Sequence, residues 1–139
     1  MTEEPDLDRF LRAQEHDFET ALGELRAGRK RTHWIWWVFP QRAGLGTSPT
    51  AEAFGIRSET EARAYLAHPV LRERLARAAE AMLRNEGRPP EEVLGDLDAM
   101  KLRSSVSLFL AQPGAPEALR RVLDAFYGGE ADPKAGFGG

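Results

Sequence analysis

Lys101 stands in the segment DLDAMKLRSSVSLF, which begins at Asp96. On a helix turning about 100° per residue, Leu97, Lys101, Ser104 and Leu108 fall within about 80° of one another, with Ser105 beside them. An ammonium and two hydroxyls on an otherwise core-like face suit the wall of a cavity. There the lysine would meet a phosphate or carboxylate and the hydroxyls would add donors. Asp98, one turn earlier, could orient the ammonium. The plainer reading is that the lysine snorkels to water and the serines bond back to their own helix.

A second group is the cluster Arg29, Lys30, Arg31 and His33, followed at once by Trp34, Trp36 and Trp37. All three tryptophans of the chain lie here. Cations beside aromatic faces are what base stacking and cation–π contacts require, although core packing also explains an aromatic run. The loop GLGTSP adds two glycines and then Ser48, at the start of a helical turn whose free N–H groups attract anions. Its spacing matches neither a P-loop nor a dinucleotide fingerprint. Gln14 is the polar member of an apolar stripe and must find hydrogen-bond partners there.

Several chemistries have no local support. The chain has no cysteine, so disulfides, thiolate-held metal and thiol nucleophiles are excluded. His16, His33 and His68 are far apart in sequence and no H-E-x-x-H occurs, so neither a metal nor another cofactor is expected. No G-x-S-x-G elbow is present.

The elements that must position these residues read as helices. At 139 residues, with 42% hydrophobic and 29% charged residues, the chain fits one soluble globular domain. A net charge of -3 offers no general field for nucleic acid, which is an unlikely partner. There is no membrane-spanning run and the acidic start MTEEPDLDRF is unlike a targeting peptide, so a cytoplasmic location is expected. Leu7, Phe10, Leu11, Gln14, Phe18, Ala21, Leu22 and Leu25 recur at helical spacing, and Gly28 closes that helix. The apolar run Trp34 to Phe39 reads as a short buried helix, because a strand there would have no partner.

Ser48-Pro49 opens a helical turn, and Ser58 with Glu61 forms a capping box for a helix from residue 59. His68-Pro69 interrupts it, and Leu71, Leu75, Ala78, Ala79 and Met82 carry the pattern on. The outer face of that helix offers Glu73 with Arg77 and Glu80 with Arg84 as i,i+4 pairs. A turn at Glu91 to Leu94 leads to a helix from about Asp96 to Ala111, and a last helix starts near Pro116 and stops at Gly128-Gly129. The expectation is an all-α, compact multi-helical single domain over residues 1–139. Its helical core spans about residues 6–128 and a loose tail residues 129–139.

The blocks GRKRTHWIWWVFPQRAGLGTSP, EARAYLAHPVLRERL and DAMKLRSSVSLF resemble the signature segments of a bacterial family catalogued as domain of unknown function 1810. The likeness runs from Phe10 to about Asp132. The resemblance implies a mainly helical structure and no established activity. The family pattern falls on Gln14, Lys30, His33, Trp34, Trp36, Pro40, Gln41, Gly44, Gly46, Ser48, His68, Pro69, Asp98, Lys101, Ser104 and Phe109. Trp37, Phe54, Arg72 and the glycine-rich tail depart from it. The order of elements is also similar, more remotely, to the NADAR superfamily, which implies ADP-ribose or a related N-glycoside as ligand and N-glycosidic hydrolysis as reaction.

Together these readings favour a protein binding a phosphorylated, nucleotide-like small molecule. Gln14, Lys30, His33, Trp34, Trp36, Gln41, Ser48, Asp98, Lys101 and Ser104 are the candidate ligand-binding residues. Hydrolysis would further need a carboxylate near the sugar, for which Asp98 and Glu52 are the candidates. The competing reading is a non-enzymatic interaction module in which aromatic and arginine residues form a protein-binding patch.

Overall fold

The computed structural model describes residues 6–137. Its elements are α1 (Asp8–Ala27), α2 (Ile35–Val38), α3 (Pro49–Phe54), α4 (Glu59–Ala67), α5 (Pro69–Leu83), α6 (Pro90–Leu94), α7 (Asp96–Leu110) and α8 (Glu117–Tyr127). No strand occurs among the described residues, and the helices pack into one domain. No helix of the described residues is long and apolar enough to cross a membrane.

The stripe of α1 is buried as its spacing predicts: Phe10, Gln14, Phe18, Ala21, Leu22 and Leu25 all face inward. Gly28 ends the helix with φ 80°, a left-handed conformation that an L side chain rarely adopts. α5 lies between α1 and α8, and α7 packs on α6 and α8. Leu71, Leu75, Ala78 and Met82 of α5 meet Val106, Phe109, Leu119 and Val122 in one continuous core.

Local sequence sets most helix starts. Ser48 Oγ accepts from Ala51 N at 3.1 Å, and Ser58 Oγ accepts from Glu61 N at 3.1 Å. The second half of the capping box is altered: the Glu61 carboxylate accepts from Arg57 N and pairs with Arg9 at 2.6 Å, tying α4 to α1. His68 Nδ1 accepts from Leu71 N at 3.4 Å and so caps α5. The loop between α2 and α4 is closed by an isolated parallel bridge of Arg42 with Ile56, which no periodicity announces. Gly55 is required there, because a Cβ would lie 2.6 Å from Ala43 Cα.

Three expectations are corrected. The run Trp34 to Phe39 is helical at its centre but is not buried on every side, since Trp36 and Trp37 are only half-buried. The pairs of Glu73 with Arg77 and Glu80 with Arg84 are absent from the ion pairs of α5: Arg77 crosses to Glu19 of α1 at 3.6 Å, and Arg72 donates to Gly114 O at 3.0 Å. A helix flanked by neighbours offers its long side chains better acceptors than its own next turn. The tail is not loose as far as Phe137. Arg103 donates to the carbonyls of Glu130 and Ala131 at 2.8 and 3.1 Å, Ser107 Oγ accepts from Asp132 N at 2.9 Å, and Ala135 is buried. Residues 138 and 139 lie outside the described residues.

Candidate functional site

Glu24, on the last turns of α1, fixes the basic loop that follows Gly28. Its carboxylate accepts from Arg31 N at 2.8 Å, Thr32 N at 3.0 Å, Thr32 Oγ1 at 2.7 Å and Trp34 Nε1 at 2.9 Å. Burial alone would raise its pKa, but these bonds to the charged form outweigh it and lower the value from 4.5 to about 2. Lys30 N donates to Val93 O at 2.8 Å, which brings the loop against α6 and the start of α7.

That contact closes a cleft of about 490 Å³. Lys30, Arg31, Thr32, His33 and Trp36 form one wall, and Leu94, Gly95, Asp96, Leu97, Asp98 and Lys101 form the other. Asp98 lies between two ammonium groups: Lys30 Nζ is 2.9 Å from Oδ2 and Lys101 Nζ is 3.6 Å from Oδ1. The lysines differ. Lys30 has a side chain only 7% exposed, donates also to Thr32 O at 2.6 Å and lies 4.9 Å from the Trp34 centroid. Lys101 is 28% exposed, has the longer contact to Asp98, and rests over Trp36 at 4.9 Å from the centroid.

The wall is completed by the start of α7. Gly95, with φ 85°, turns the chain into the helix, and Ala99 N is the first amide to bond back to it. The amides of the opening turn therefore have no helical acceptor and lie where an anion would be favoured, although Asp96 and Asp98 occupy the same turn. Among the described residues no group of three side chains suits a metal ion.

A model of the family described as "Protein of unknown function (DUF1810)" matches residues 4–136. The chain belongs to this DUF1810 family. A solved structure, that of the conserved hypothetical protein Rv1873 from Mycobacterium tuberculosis, is similar to this chain, with 44% identity and a TM-score of 0.89. The match covers 94% of this chain and 93% of that one. No curated protein matches. The NADAR likeness finds no counterpart in these comparisons.

Of the candidate residues in this DUF1810 protein, the fold brings Lys30, His33, Trp36, Asp98 and Lys101 to the cleft. It does not bring the other five there. Trp34 is fully buried and its Nε1 is bonded to Glu24, so it packs the core and supports Lys30. Gln14 is buried, donating to Trp37 O at 2.7 Å and Tyr65 Oη at 3.0 Å, and burial pushes the Tyr65 phenol pKa up. Gln41 borders a separate small niche with Trp36 and Phe54. Ser48 caps α3 on the surface. Ser104 is buried, and its Oγ has no partner among the described residues. Sequence reasoning passed over Glu24 and Gly95. Gly95 carries a signal in the break between Leu94 and Asp96, whereas nothing in the sequence distinguishes Glu24 from the other acidic residues of α1.

Proposed function

We propose that the cleft between the basic loop and the start of α7 binds a phosphorylated small molecule of nucleotide type, such as ADP-ribose. The observation that carries this reading is Lys101. Its ammonium sits over Trp36 with a single, 3.6 Å contact to Asp98, in a cleft that Arg31, His33 and the first residues of α7 also line. A phosphate can accept from such a group and from helix-start amides together. Leu94, Leu97 and Trp36 supply apolar surface for the remainder of the ligand. Were the bound molecule an N-glycoside, Asp98 would be the one of the two carboxylate candidates that lines the cleft, because Glu52 belongs to α3.

The test is a thermal-shift titration of the protein and of Lys101→Ala with ADP-ribose, NAD, mononucleotides, sugar phosphates and inorganic phosphate. Ligand at 100 times its Kd stabilises by about 2.7 kcal/mol, which is a rise of several degrees for a domain of this size. A rise with a nucleotide-type ligand that is lost in Lys101→Ala supports the reading, and an assay for base release then addresses hydrolysis. No rise with any ligand, or an equal rise in the variant, overturns it.

A second reading, a protein-interaction module, is favoured by Leu97 and Met100, which are 72% and 68% exposed on the first turns of α7. Its signature is protection of Leu97 by a protein partner in a protein that no small phosphate stabilises.

A further inference from the structure

Gln14 lies away from the cleft, at the floor of a different cavity. This one, of about 260 Å³, opens between α1 and α5 and is lined by Gln14, Glu15, Phe18, Glu19, Arg74 and Arg77 among others. Gln14 is 1% exposed, and while its Nε2 is held by Trp37 O and Tyr65 Oη, its Oε1 accepts from Arg74 Nη1 at 3.4 Å. Arg74 and Arg77 are three residues apart on α5 and so project from the same face. Their guanidinium carbons lie 5.9 and 5.4 Å from the Phe18 ring centroid.

A half-buried guanidinium ordinarily has a carboxylate partner, because five donors and a positive charge are costly to leave without one. Arg74 is half-buried, its single hydrogen bond is the long one to a neutral amide, and it forms no ion pair among the described residues. Arg77 has only the 3.6 Å contact to Glu19, a side chain that is 76% exposed.

We propose that this cavity is a second binding site, separate from the cleft, that takes the carboxylate of a ligand on Arg74 and Arg77. Phe18 supports the two guanidinium planes, and the buried amide of Gln14 fixes the position of Arg74. The planar donor fork of arginine matches a carboxylate in two-bond geometry. Glu15 and Glu19 line the same cavity and would repel a doubly charged phosphate more strongly than a single carboxylate. The carboxylate can belong to a free organic acid or to the C-terminus of a peptide, since both present the same planar group.

The experiment follows the arginine Nε–Hε signals of the 15N-labelled protein during titration with acetate, with inorganic phosphate, and with a short peptide whose C-terminus is free or amidated. The expected result is a saturable shift of the Arg74 and Arg77 signals with acetate or the free-acid peptide, and weaker binding of phosphate. Arg77→Met should weaken carboxylate binding by roughly tenfold or more, the loss of a charged hydrogen bond. This variant leaves the Arg74–Gln14 bond in place and removes only the solvent-exposed contact to Glu19, so the fold should tolerate it. Arg74→Lys, which keeps the charge but removes the fork, should weaken binding as well. Preference for the free-acid peptide over acetate assigns the site to a chain terminus; equal binding assigns it to small acids. The proposal is overturned if no saturable shift occurs, if phosphate binds as tightly as carboxylate, or if Arg77→Met binds as the parent does.

Discussion

Glu24 accepts four hydrogen bonds from the loop it faces, so the geometry of Arg31, Thr32 and Trp34 depends on one carboxylate. Its folded-state pKa of about 2 lies below the ordinary 4.5. A carboxyl depressed in this way stabilises the fold fully above its unfolded value, and that contribution is lost as pH falls from there through the folded value. Acid denaturation of the parent should therefore steepen between pH 4.5 and about 2, and Glu24→Gln should lack that component. At neutral pH the same variant should lose about 1–3 kcal/mol, because the three bonds at Oε1 lose their charge assistance and the amide NH₂ replaces the acceptor of Thr32 Oγ1. Denaturant titrations of both proteins across this pH range measure the two effects. A parallel acid dependence in the two proteins would mean that Glu24 is not the group holding the loop. Trp34 shows how the residue scale can mislead: cations beside it suggested a stacking face, yet its ring is fully buried and its indole N–H bonds Glu24.

At the scale of elements, the sequence reading succeeds where the determinant is local. Ser48 and Ser58 announce helix starts because the cap and the amide it accepts from are three residues apart, and His68-Pro69 announces a break because the residue before proline is pushed out of the α region. Gly28 announces a stop because its left-handed φ is a property of one residue. The same reasoning fails where a partner is distant. Arg77 prefers Glu19, and the tail is held by Arg103 and Ser107, positions about 25 residues away whose pairing no spacing rule contains. Residues 129–139 read as a loose tail, but Ala135 is buried and Phe137 packs on the core. Removing residues 130–139 should therefore lower stability by about 1–3 kcal/mol, through the lost hydrogen bonds and apolar burial. Urea unfolding of the truncated chain measures this, and a midpoint equal to that of the parent would show that these contacts contribute nothing net.

At the scale of the molecule, the cleft joins two parts of the chain that are far apart in sequence: residues 30–36 before most of the helices, and residues 94–101 after five of them. The residue types on each side were legible, because lysine on an apolar helical face and lysine beside tryptophan are both unusual. Their apposition was not, since it depends on the bond of Lys30 N to Val93 O and on Asp98 standing between the two ammonium groups. Ser104 fitted the pattern equally well and turned inward, because periodicity fixes a face of α7 but not which turns of that face meet solvent. The two lysines should consequently separate in function. Lys30 is 7% exposed and bonded to both Asp98 and Thr32, so Lys30→Met should lower stability by about 2–4 kcal/mol, much of it from leaving Asp98 half-buried beside a single ammonium. Lys101 is more exposed and its contact is longer, so Lys101→Met should cost less than about 1 kcal/mol while ligand stabilisation disappears. A double-mutant cycle of Lys30→Met with Asp98→Asn, read by denaturant unfolding, should give a coupling of about 1–3 kcal/mol, and the Lys101→Met cycle a smaller one. Equal couplings in the two cycles would mean that Lys30 and Lys101 share Asp98 equally, and the division into a lysine that holds the cleft together and a lysine that meets the ligand would fail.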